Sequence, residues 1–274
     1  MSLDAPYPDL EEFVQAVGDA GYRLSEIEAS EGAAGNISIF LGWPIDPRRK
    51  FPIEEAFTLP EAAPELANGM FVVTGSGRRL REIKDDPAAN LGCLIVNPDG
   101  RTARLFTSPR RLFARLTSEF NSHLAVHRSQ VALTGTNFSA VVHGQPRHLT
   151  YLSHVPKYRD TAYLSRHLLR WQPEAIVNLP EGLGVVPFLV PGSAELMQAT
   201  VAGLERHRVV VWAKHGAVAR SDQSVKRAVD RIEYAETIAS YEYLNLVNHE
   251  QADGLSVEEI LSICAALDIK QTVY

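Results

Sequence analysis

The spacing of apolar residues changes period along the chain, and each change marks an element. In "PDLEEFVQAVGDAGYRL" Leu10, Phe13, Val14 and Val17 recur at three- and four-residue intervals. That spacing predicts a helix, with Pro8 and Asp9 as its start signals. "GNISIF" alternates instead, with Ile37 and Ile39 on one face of a strand. Residues 42–68 carry several prolines and mixed charge and read as a surface excursion. "GMFVVTGSGRRL" is an apolar strand entering a glycine-rich turn, and "CLIVNPDGRTARLFT" is a hairpin joined at Asn97-Pro98-Asp99-Gly100.

Helical spacing returns after Ser118, with Phe120 and Leu124 on one face and Thr117 or Ser118 as cap. "FSAVVHG", "AIVNLP", "GVVPFLV" and "RVVVWAKHGAVAR" read as strands, the last two separated by the helix "SAELMQATVAGLERH". Ser221 or Asp222 caps a long helix carrying Val225, Val229, Ile232 and Ala239, and a short amphipathic helix runs from Ser256 to Leu267. Strands and helices mixed with hairpins, and no linker between them, predict a single α/β domain over residues 1–274.

The 274 residues are 45% hydrophobic and 22% charged, with a formal net charge of −6. That balance gives no electrostatic reason to expect nucleic acid or an anionic membrane as partner. An anionic substrate has to be gripped by locally placed groups. Cys93 and Cys264 form no CxxC and sit in apolar surroundings, so both read as core rather than disulfide. No basic-then-apolar leader opens the chain and no apolar run approaches 18 residues, so the expectation is a cytoplasmic protein.

Candidate chemistry lies at three places. His143 and His215 each end an apolar strand and are followed by glycine, a junction where an imidazole reaches a cleft with little backbone in the way. Taken singly, such a histidine is more often a satisfied hydrogen-bonder than a ligand. Glu119 opens a helix, where its charge is favoured by the helix N-terminus, and acidic residues there are routine. Glu119, His123 and His127 also form an i, i+4, i+8 stripe, but without the His-Glu-x-x-His order of a zinc helix. In "VTGSGRRL" the glycines allow amide groups to converge on an anion, Thr74 and Ser76 add hydroxyls, and Arg78 and Arg79 add charge. The turn matches neither a Walker loop nor GxGxxG, and equally describes a tight turn.

Several stretches together resemble the class II aldolase/adducin family, and within it the rhamnulose-1-phosphate aldolases. They are "GNISI", "FVVTGSGRRLREIKDDPAANLGCLIVNPDG", "LTSEFNSHL", "VVHGQ", "EGLGVVPFLVPGS" and "VWAKHGAV", in family order over roughly residues 35 to 240. The resemblance implies a class II aldolase-like fold, a central and mostly antiparallel sheet flanked by helices. It implies a metal-dependent lyase that cleaves a ketose 1-phosphate of the rhamnulose-1-phosphate kind to dihydroxyacetone phosphate and an aldehyde. It places the acid/base at Glu119, metal ligands at His143 and His215, and, by a loose alignment, a second carboxylate at Glu174. Asn36, Gly75, Ser76, Gly77, Thr117 and Ser118 fall on the phosphate pocket. A homotetramer with Zn²⁺, or another divalent ion such as Mn²⁺, is the family expectation.

Position 145 departs from the family's His-x-His: the chain reads His143-Gly144-Gln145. An amide oxygen is a harder and poorer ligand for zinc than an imidazole. Three outcomes follow: Gln145 ligates in place of histidine, with a harder metal such as Mn²⁺ or Mg²⁺; His148 swings in; or the site holds no metal. The last would leave a binding or scaffold protein that keeps the fold and the phosphate pocket without the chemistry.

Overall fold

The computed structural model describes residues 2–249 and 251–274. In chain order its elements are α1 (Leu10–Glu26), β1 (Asn36–Leu41), β2 (Ile53–Thr58), β3 (Met70–Thr74), α2 (Pro87–Asn90), β4 (Leu91–Val96), β5 (Thr102–Thr107), α3 (Phe120–Thr134) and β6 (Phe138–Gly144). There follow α4 (Arg147–Leu152), α5 (Thr161–Leu169), α6 (Pro173–Asn178), β7 (Gly184–Val186), α7 (Ala194–Arg206), β8 (Val209–Trp212), β9 (Gly216–Ser221), α8 (Val225–Val247) and α9 (Val257–Ala266).

The nine strands form one sheet in the order β2-β5-β4-β3-β1-β6-β9-β8-β7. Every pairing is antiparallel except β7 with β8, and that pair is joined through α7, the crossover a parallel connection needs. The expected α/β architecture with a mostly antiparallel sheet is therefore the one observed. Strands β1, β3 and β6 are buried on both faces. Their alternate residues divide between two cores: Ile37, Ile39, Val72, Ala140 and Val142 pack with residues of α1 and α8. Phe40, Phe71 and Val73 pack toward Phe120 and Leu124 of α3, while Val141, Val218 and Trp212 pack toward Leu196 and Leu204 of α7. The face under α3 and α7 carries the polar residues of the central strands, and the site forms there.

Four sequence expectations change. Residues 42–68 contain strand β2 at the sheet edge. Its pattern, half-buried alternating with exposed, is that of a strand paired on one side only, and the surrounding prolines and charges hide it. "AIVNLP" belongs to α6, which Pro173 opens at its first position, where a missing N–H costs nothing. "GVVPFLV" pairs only over Gly184–Val186; Pro187 follows, and Phe188 and Val190 are exposed. "RVVVWAKHGAVAR" is two strands, β8 and β9, folded back with Trp212 opposite Gly216 through a turn that holds Lys214 at φ +64°.

Caps shift as well. Asp9 caps α1 in a reciprocal box with Glu12, as the start signals predict. The cap of α8 is Ser224 rather than Ser221 or Asp222, and the residue at the cap position of α3 is Glu119 rather than Thr117 or Ser118. Cys93 and Cys264 are free and buried.

Candidate active site

Strand register brings the site together. Asn36, the first residue of β1, lies opposite His143 near the end of β6, and His143 lies opposite Val218 of β9. The turn between β8 and β9 delivers His215. That turn is tied down where the Lys214 N–H donates to the Ser153 hydroxyl at 2.7 Å. Glu119 reaches the same place from the start of α3. As the cap residue it has non-helical backbone, and its side chain makes no capping bond but points inward, 5% exposed.

Glu119 sits between the two histidines. Its Oε2 lies 3.8 Å from His143 Nε2 and its Oε1 lies 3.6 Å from His215 Nε2. One ligand atom from each of the three residues lies within 4.8 Å of the others. The His143 Nδ1–H donates to the Ala217 carbonyl at 3.0 Å, so in the neutral ring Nε2 is the nitrogen that faces Glu119 and is free to ligate. His215 Nδ1 is buried without a partner among the described residues. The rings of His143, His215 and Trp212 pack together with centroids 4.7 to 5.1 Å apart, and Trp212 is anchored by its indole N–H to Thr200 Oγ1. A carboxylate and two imidazoles, two of the three side chains buried, suit a divalent ion.

Electrostatics agree with that donor set. Burial raises the Glu119 carboxyl, but His143, the Asn36 hydrogen bond and His215 outweigh it and hold it below the ordinary glutamate value. Burial and His143 lower His215, and Glu119 only partly opposes them. The arrangement is thus an ionised carboxylate facing a neutral His215 near neutral pH.

The glycine-rich turn and the residues before α3 are brought side by side. Gly75 bridges to Leu116, and the Ser76 N–H donates to the Arg115 carbonyl, the Thr117 N–H to the Thr74 carbonyl. Gly75, Ser76 and Thr117 therefore lie on adjoining backbone. The amides of Gly75 and Ser76 are already bound to the carbonyls of Asn90 and Arg115, so they do not converge on an anion as the glycine pattern suggested. Gly77, at φ +71° with open space around it, keeps the turn exposed. Arg78 and Arg79 are taken up by Glu82. Arg115, unremarked in the sequence, carries a guanidinium with no acidic partner among the described residues. It lines a cavity of about 530 Å³ with Thr117, Ser118 and Asn121.

Other candidates go elsewhere. Glu174 is exposed in the first turn of α6 and is not part of the Glu119 cluster. His148 bonds Glu236 through Nδ1 at 2.7 Å, so it does not replace a missing ligand. His123 and His127 do not join Glu119 in a metal stripe; both contact Ser38. Gln145 adjoins the site, since a Cβ on Gly216 would lie 3.2 Å from its Cγ and 2.9 Å from His143 Cε1. Asn36 uses its amide on Glu119 and His123, leaving one Nδ2 hydrogen for any phosphate. Trp212 and Ser38 were missed. The signal for Ser38 was present, two polar residues two apart in "NISI".

Residues 15–243 match the family described as class II aldolase and adducin N-terminal domain. Rhamnulose-1-phosphate aldolase of Escherichia fergusonii is 35% identical over 181 residues, 66% of this chain and 65% of that enzyme. The chain thus spans slightly under two thirds of that relative. The enzyme of the same name from an Escherichia coli strain is 32% identical over 205 residues, 75% of this chain and 74% of the other. Among solved structures, a sugar-phosphate aldolase from Thermotoga maritima superposes with a TM-score of 0.74 at 26% identity, covering 87% of this chain and 97% of that one.

Proposed function

Because the chain belongs to the class II aldolase and adducin family, we propose that it is a metal-dependent aldehyde-lyase acting on a ketose 1-phosphate. The observation that carries this reading is the convergence of buried Glu119 and His143 with half-buried His215. The substrate class rests on the similarity to rhamnulose-1-phosphate aldolases. A homotetramer in the cytoplasm is the accompanying expectation; among the described residues no helix is long and apolar enough to cross a membrane.

His143 and His215 would hold the ion, Zn²⁺ by donor preference, with Gln145 adjacent as a carbonyl-oxygen donor. When bound, such an ion supplies a Lewis acid for the substrate's carbonyl and hydroxyl. The chain's residues do the rest. The hydroxyls of Ser76, Thr117 and Ser118 and the Gly77 amide seat the phosphate, and Arg115 adds charge beside them. Cleavage of C3–C4 turns the C4 hydroxyl into an aldehyde and leaves the electron pair on C3 of dihydroxyacetone phosphate. Glu119 takes the proton that the C4 hydroxyl gives up and delivers it to C3, and in the reverse direction moves it back. Buried between His143 and His215, the carboxylate is shielded from bulk water. Glu174 would act as a second carboxylate only if something beyond this single chain brings it near.

The test is metal analysis of protein purified without chelator, with release of dihydroxyacetone phosphate from rhamnulose 1-phosphate and its epimers. About one ion per chain and turnover abolished by chelator are expected. Far less than one ion, with no gain in thermal stability on adding Zn²⁺ or Mn²⁺, refutes the reading. That result would favour a non-catalytic binding protein, for which Gln145 is the specific argument.

A further inference from the structure

Behind Glu119 runs a closed line of hydrogen bonds that the metal site does not require. Asn36 and Ser38 project from one face of β1 toward α3, where His123 and His127 stand one turn apart. Ser38 and His127 are fully buried and His123 is 1% exposed. Asn36 Nδ2 lies 2.8 Å from Glu119 Oε2, and Asn36 Oδ1 lies 2.5 Å from His123 Nε2. Ser38 Oγ lies 2.6 Å from His123 Nδ1 and 2.7 Å from His127 Nε2.

The donors along this line have one consistent assignment. An amide oxygen only accepts, so the proton of neutral His123 sits on Nε2. Its Nδ1 is then bare and takes the hydroxyl proton of Ser38. The serine oxygen has only lone pairs left, so His127 donates through Nε2–H. His127 Nδ1 ends the line, buried and without a partner among the described residues. Burial holds both imidazoles neutral: it lowers His123 to about 3 and His127 well below 6.5. Every bond therefore points toward Glu119. Because the far end is sealed in the core, the line is a brace and not an exit for protons.

We propose that Ser38, His123 and His127 are positioning residues that lock the Asn36 amide with its N–H toward Glu119, fixing the carboxylate between His143 and His215. With the amide reversed, Oδ1 would face a carboxylate oxygen, two acceptors in contact. The brace acts on Glu119 in the role given it above, and so rests on that reading.

Two measurements separate the brace from that role. Histidine ¹⁵N correlation spectra of the whole protein read the tautomers directly; Nε2–H on both His123 and His127 is expected, and Nδ1–H on His123 overturns the proposal. Exchange of the C3 hydrogen of dihydroxyacetone phosphate in D₂O, with zinc added, reads the Glu119 step without any aldehyde. Ser38→Ala and His123→Leu should lose roughly tenfold or more in exchange rate, the scale of an outer hydrogen-bond partner of a metal ligand. KM should stay within about twofold, because the hydroxyls of Ser76, Thr117 and Ser118 and the Gly77 amide, given above as the phosphate seat, are untouched. His123→Gln, which keeps an N–H for Asn36, should recover most of the rate. Folded Ser38→Ala and His123→Leu proteins that exchange like wild type overturn the brace. A wild-type protein that does not exchange at all sinks the Glu119 role instead, and the tautomers still decide the direction of the line, as they do where a variant fails to fold.

Discussion

Acid should destabilise this protein well above the pH at which its carboxylates titrate, and the cause is the pair of imidazoles under α3. His123 falls from 6.5 to about 3 in the folded chain, and His127 also lies far below 6.5, both through burial. The unfolded chain regains ordinary histidines. Below pH 6.5 it therefore binds protons that the native state refuses, and stability drops as pH falls toward the folded values. Between pH 7 and pH 5 a histidine with the two constants of His123 loses about 2 kcal/mol, and His127 adds a loss of the same sign. That is a large share of the roughly 5–15 kcal/mol that holds a typical domain folded. His215 is lowered as well and adds in the same direction. Glu119, held below its usual value, contributes stability above about pH 4.5 that is lost as pH falls further. Urea unfolding of chelator-treated protein at pH 7, 6 and 5 measures the loss without interference from metal release. Ring-proton shifts of His123 and His127 should stay flat from pH 8 to 5. A loss under about 1 kcal/mol, or a shift that titrates near 6.5, would show that the imidazoles are not sealed in the core as described.

Three further outcomes concern the site. Gly216→Ala should weaken metal binding and lower stability, because the new Cβ would lie 2.4 Å from the Gly144 carbonyl and 2.9 Å from His143 Cε1; calorimetric zinc titration matching wild type would contradict it. Gln145→His should tighten zinc by about tenfold or more, each 1.4 kcal/mol of added ligand energy being a factor of ten, read by competition with a chromogenic chelator; unchanged affinity would place residue 145 outside the coordination sphere. Glu119→Gln should cut deuterium exchange into dihydroxyacetone phosphate by roughly 100-fold or more, and a smaller loss would hand the proton step to another group.

Much of this was readable in the chain, but unevenly. Asp9 and Ser256 announced their helices because capping is local chemistry, and Asn97 to Gly100 announced a hairpin for the same reason. His143, His215 and Glu119 could be named as candidates; their meeting depends on strand order, which periodicity does not encode. The edge strand β2 stayed hidden since only one of its faces is covered. "AIVNLP" misled because a short apolar run fits a strand or a buried helical turn equally well. The spent amides of Gly75 and Ser76 could not be foreseen, for their partners lie in segments distant in sequence.

The pieces of the cluster leave the ribosome in a fixed order: Glu119, then His143, and last His215, on a turn made by two strands near the far end of the sheet. A nascent chain thus holds only part of the trio until the turn before β9 has been synthesised, after the central strands of the sheet. Under the proposed function, an ion would meet the full donor set only on a scaffold whose central strands are already in the chain.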